Sequence, residues 1–122
     1  MTLKVSSYGS SGGLRYKIAY EDACAEGAEI DALGSAGTIR SVVIWNKHSG
    51  TVYFKLKTTS GAWVSGTTDP DYQWRMPATT TNRFDFPDGI PFSQLTFWCN
   101  ASSASSATDG PGGVVDVTFV CS

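Results

Sequence analysis

The chain has 122 residues and a formal net charge of −2, and its nine Lys and Arg residues form no basic run. That excludes the basic stripe of a typical nucleic-acid binder, and no apolar stretch nears the roughly 20 residues a membrane helix needs. Four Trp, five Tyr and six Phe stand among many Gly, Ser and Thr residues, a mix suited to short strands joined by tight turns.

Alternation of apolar and polar residues recurs from the start. Leu3 and Val5 mark a first short strand, and the opening Met1-Thr2-Leu3-Lys4 lacks the apolar core of a signal peptide, so use without export is expected. After a turn at Gly9-Ser10-Ser11-Gly12-Gly13, Leu14, Tyr16, Ile18 and Tyr20 alternate with Arg15, Lys17 and Ala19, which predicts a half-buried strand with the aromatic and aliphatic set inward. Glu21 to Leu33 holds five of the eleven acids (Glu21, Asp22, Glu26, Glu29, Asp31) and is broken by Gly27. It is expected as a solvated acidic loop with at most one helical turn. Its acids lack the spacing of a calcium loop.

Residues 39 to 46 are apolar on both faces, as in a strand covered on two sides. Val52, Phe54 and Leu56 alternate with Tyr53, Lys55 and Lys57, and the short Lys47-His48-Ser49-Gly50 link reads as a hairpin turn. Tyr72, Trp74 and Met76 form the next strand, then a turn at Pro77-Ala78-Thr79-Thr80, then Phe84 and Phe86 up to a Pro87-Asp88-Gly89 turn. Leu95, Phe97 and Cys99 mark another strand, with Trp98 out of phase on its opposite face. Asn100 to Gly113, rich in Ser, Ala and Gly, reads as a mobile surface loop, and Val115, Val117, Phe119 and Cys121 mark the last strand.

About eight strands with apolar faces must bury those faces against one another. The expected fold is one domain over residues 1–122: an all-β, antiparallel two-sheet β-sandwich, jelly-roll-like. Surface scaling buries about two thirds of the unfolded area at this size, enough for one core without disulfide staples.

Little in the chain points to chemistry. His48 is the only histidine and is expected at an exposed turn. No nucleophile elbow, zinc-protease motif or phosphate loop occurs. Asp69-Pro70-Asp71 reads as a turn starter. Cys24, Cys99 and Cys121 form no CxxC pair and are expected as free thiols of a reducing compartment, with Cys99 and Cys121 as neighbours in the core. No catalytic, cofactor-binding or metal residues are expected. Aromatics are the candidates for contact: Trp45, Tyr53, Trp63 and Trp98 are expected at an interface between subunits or under a loop. Trp63 and Trp98 are also the pair that a glycan would use.

Four stretches carry a family resemblance: Val52-Tyr53-Phe54-Lys55-Leu56, Thr67-Thr68-Asp69-Pro70-Asp71-Tyr72, Phe86-Pro87-Asp88-Gly89-Ile90-Pro91-Phe92-Ser93 and Leu95-Thr96-Phe97-Trp98. Across residues 39 to 121 the chain resembles small β-sandwich virion proteins of tailed bacteriophages. The resemblance implies a capsid decoration (cement) protein, or else a neck, tail or baseplate component. It further implies a homo-oligomer, often a trimer, that binds the major capsid protein or another virion protein after synthesis in the bacterial cytoplasm. It brings no catalytic residues. The acidic loop and the Ser/Ala-rich loop have no counterpart in the pattern. A carbohydrate- or receptor-binding module is the competing expectation.

Overall fold

Inward-facing residues set the architecture. In the computed structural model, which describes residues 3–9 and 15–122, eight strands form: β1 (Leu3–Gly9), β2 (Arg15–Glu21), β3 (Gly37–Asn46), β4 (Val52–Lys57), β5 (Tyr72–Met76), β6 (Thr80–Phe92), β7 (Thr96–Asn100) and β8 (Val115–Cys121). The expected turn after Gly9 lies outside the described residues. The strands make two antiparallel sheets, one of five in the order β1-β2-β8-β3-β6 and one of three in the order β5-β4-β7. This is the expected all-β sandwich.

Between the sheets lies a single core. Ile39, Val42, Ile44, Val117 and Phe119 come from the larger sheet, and Phe54, Leu56, Met76, Phe97 and Cys99 from the smaller. Phe54 and Phe97 meet Phe119 of the facing sheet with ring centroids 5.9 and 5.1 Å apart, so three rings bridge the layers. At the side where β5 and β6 are both edge strands, Trp74 stacks on Phe84 at 5.5 Å and on Tyr72 at 6.0 Å, closing the gap between the sheets.

Strands β3 and β4 do not form the expected hairpin. They lie in different sheets, and residues 47–51 carry the chain across. The reason is Asn46, fully buried at the end of β3. Its Nδ2 donates to the carbonyls of Gly50, Met76 and Pro77 at 2.9, 3.2 and 3.0 Å, and its Oδ1 accepts from the His48 amide at 3.0 Å. One side chain thereby satisfies backbone groups that a crossing between sheets would strand. The strand at Phe84 and Phe86 also runs further than expected. Pro87-Asp88-Gly89 does turn, but as a bulge: Ser41 pairs with Asp85 and Ile39 with Ile90, after which β6 resumes. Gly89 has φ 74°, and a Cβ there would collide with the Thr38 methyl, so glycine is needed twice over.

The acidic stretch is neither helical nor free. It pairs by backbone along the open edge of β7: the Cys99 amide donates to the Ala25 carbonyl, Glu29 and Phe97 exchange both bonds, and the Ala32 amide donates to Leu95. At its start the Cys24 amide donates to the Val115 carbonyl of β8, so the segment ties the two sheets together. The Asn100–Gly113 stretch is a mostly exposed surface loop, as expected, tied down where Pro111 is buried and Asn100 Nδ2 donates to the Asp109 carbonyl at 2.7 Å.

The Asn46 junction is testable. Replacing Asn46 by Ala leaves buried carbonyls without a donor, and a loss of about 2–4 kcal/mol is expected in urea unfolding with an unchanged denaturant slope. Asn46→Asp should cost at least as much, because a carboxylate would face those same carbonyl oxygens.

Candidate interaction surface

The phase of β2 is the reverse of the one its pattern predicts. Ala19 and Glu21 point into the core, both fully buried, whereas Tyr16, Ile18 and Tyr20 occupy the alternate, outer positions. Pairing with β8 imposes this phase, with Ala19 opposite Phe119 and Glu21 opposite Val117, both core residues. A shift of one residue would flip the whole strand.

The consequence is an outer sheet face with apolar character. Ile18 lies opposite Val120, Tyr20 opposite Thr118, Thr118 opposite Val43, and Trp45 opposite Asp116. Tyr16 is 39% and Trp45 47% exposed; Ile18, Val43 and Val120 are half-buried, and no further strand layer covers them among the described residues. Charge flanks this stripe on two sides. Arg83 and Asp85 form an exposed ion pair at 2.9 Å on the β6 side. On the Trp45 side, Lys47 Nζ sits 4.2 Å from the Trp45 ring centroid and 2.9 Å from Asp116 Oδ2, and Tyr20 Oη donates to the same oxygen at 3.1 Å. That shared hydrogen bond raises the Tyr20 and Lys47 pKa values above their ordinary ranges. An apolar centre inside a charged rim is the usual anatomy of a protein interface.

The four candidate aromatics do not share one surface. Trp45 is on this face; Tyr53 and Trp98 are on the outer face of the three-stranded sheet, with Trp63 against Trp98 at 5.8 Å and 64°, edge to face. Trp98 does point away from its strand's apolar set, and it is only 4% exposed. The loop bearing Trp63 meets the Ser/Ala-rich loop, since a Cβ on Gly66 would come 2.8 Å from Thr108 Cγ2. Lys55, opposite Trp98, is buried beside it; its Nζ donates to the Ala104 carbonyl at 2.8 Å, and burial lowers its pKa. This second outer face is thus lidded by the chain's own loops. So deeply buried, Trp98 offers no open platform to a sugar ring.

His48 is half-buried rather than exposed. Its ring packs on Gly112 and Gly113, where an added Cβ at Gly113 would be 2.6 Å from Nδ1. Among the described residues no group of three or more His, Cys, Asp or Glu side chains is placed to hold a metal ion. A pocket of about 250 Å³ is lined by Asp85, Phe86, Pro87, Asp88, Gly89 and Ile90. One stretch of one strand supplies those walls, so a ligand there would keep much of its surface in water. All three thiols are free and buried, and the close pair is Cys24 with Cys99, not Cys99 with Cys121.

Glu21 corrects the expectation of a solvated acidic stretch. Both its carboxylate oxygens are buried without a hydrogen-bond partner, and burial, then the charges of Glu29 and Asp22, push its pKa up from 4.5 to about 7. The sequence pattern hides it, because the bulkier residues of β2 suggest the opposite phase. A folded-state pKa above the unfolded one means that the native protein holds the proton more tightly. Stability from this group is therefore full below pH 4.5 and is lost as pH rises towards 7, by up to about 3 kcal/mol. Glu21→Gln should flatten that slope and exceed the native protein in stability at about pH 8, as followed by urea unfolding across the window.

No family model, curated protein or solved structure matches this chain.

Proposed function

We propose that the protein is a non-enzymatic structural component of a bacteriophage virion, a capsid decoration protein that stabilises the particle by seating on capsid subunits. The observation that carries this reading is the reversed phase of β2. It buries Glu21 without a partner and turns Tyr16, Ile18 and Tyr20 outward, an arrangement that costs the isolated domain stability and supplies an apolar face for a partner. Five strands spaced about 4.8 Å apart make a face roughly 20–25 Å wide, comparable with one side of a standard protein interface.

Strand order supports the same reading. With Ala25–Ala32 counted as a strand, the pairs nest: β2 with β8, Ala25–Ala32 with β7, β3 with β6, β4 with β5. We read this nesting as a jelly roll with β1 added at one edge. Jelly rolls serve viral capsids and lectins alike, so the fold alone does not choose between them. The surfaces favour a protein partner. Of the ring pair suggested for a glycan, Trp98 is buried against Trp63, whereas Trp45 stands open beside Lys47.

Mass spectrometry of purified phage particles should find the chain at a stoichiometry fixed relative to the major capsid protein. The isolated protein should scatter light as a trimer. Ile18→Glu and Trp45→Glu should each weaken capsid binding at least tenfold while leaving the melting temperature within a few degrees. A monomer that ignores capsids and binds on a glycan array would overturn the proposal.

A further inference from the structure

We propose that Cys24 and Cys99 form a modification site, a thiol pair that closes to a disulfide on meeting a small-molecule disulfide and so locks the Cys24–Ala32 segment onto the sandwich. Their Sγ atoms are 2.9 Å apart, and both residues are buried. A covalent S–S bond is about 2.05 Å long, so closure needs roughly 0.9 Å of approach. The backbone already holds the two positions together. The Cys99 amide donates to the Ala25 carbonyl at 2.9 Å, while the Cys24 amide is anchored on Val115 at 2.9 Å. Cys121 is not a member of the pair. It lies on β8, opposite Lys17 and Ile39.

Exchange balances without any further reactant. A thiolate of the pair attacks one sulfur of a disulfide RSSR and expels RS⁻. The second protein thiolate then attacks the resulting mixed disulfide and expels another RS⁻. The two thiol protons end on the two RSH molecules, so the reagent is reduced by the two electrons that the protein loses. Burial raises the Cys24 pKa well above that of an exposed thiol, so attack waits for the segment to lift from β7. The pair therefore stays open in a reducing compartment and closes after transfer to an oxidising one. Closure would join residues 75 apart in sequence and hold shut the segment that ties the two sheets.

The test uses the whole chain, reduced, freed of reductant and then incubated with oxidised glutathione in mild urea. The thiol count in denaturant is expected to fall from three to one, with a mass loss of about 2 Da and a Cys24–Cys99 cross-linked peptide in the non-reduced map. The melting temperature should rise by about 5 °C or more, and added dithiothreitol should reverse every change. Cys121→Ala should respond as the native chain does, and Cys24→Ala should neither cross-link nor gain stability. Stable glutathione adducts, three surviving thiols, or a bridge through Cys121 would each overturn the proposal. The peptide map of the native chain decides the matter even where a variant folds poorly.

Discussion

A three-stranded sheet is too narrow to cover a five-stranded one, and backbone pairing of residues 25–32 along β7 supplies the missing width. The apolar residues beneath it then need no extra strand. Cys24 and Cys99 are buried because this segment lies where it does. The same pairing satisfies amides and carbonyls that β7 would otherwise present along a bare edge, a common route to aggregation. Core closure and the thiol pair both follow from one run of main-chain hydrogen bonds.

Polar groups in this sandwich divide into the satisfied and the unsatisfied. Asn46 and Lys55 sit where the chain crosses or folds over a sheet, and each finds backbone carbonyls there. Glu21, the last residue of β2, lies between Leu3 of β1 and Val117 of β8 and finds none. The main-chain amides of the flanking strands are engaged in the ladder, which leaves its carboxylate no donor. Buried acids left in that state raise the free energy of the native state above neutral pH.

Strand count, the two-sheet arrangement and most strand bounds were legible because period-two alternation reports directly which residues can share a face. The phase of β2 was not. Tyr16, Ile18 and Tyr20 are bulkier than Lys17, Ala19 and Glu21, and local pattern assigns the bulk inward, whereas pairing with β8 assigns it outward. The crossing at residues 47–51 was illegible for a related reason. Its length suits a hairpin, and only the tertiary carbonyls around Asn46 show that it changes sheets. Trp98 was placed on the correct face, but that Trp63 and two loops cover it depends on long-range packing that no local spacing encodes. The thiol pair escaped notice because Cys24 lies in a stretch without alternation, so nothing placed it in the core.

The position of β8 bears on how the molecule comes into being. It is the last strand along the chain, yet it lies between β2 and β3 in the middle of the larger sheet. During synthesis the β1–β2 and β3–β6 pairs emerge first, and each has an edge that only β8 can occupy. Until residues 115–121 leave the ribosome those edges stay open and the core lacks Val117 and Phe119. Folding is therefore a late event awaiting one inserted strand, on the millisecond-to-second scale typical of folds dominated by distant pairings. Before that insertion, a nascent or truncated chain presents two ribbons with unpaired edges, the kind of surface that invites aggregation.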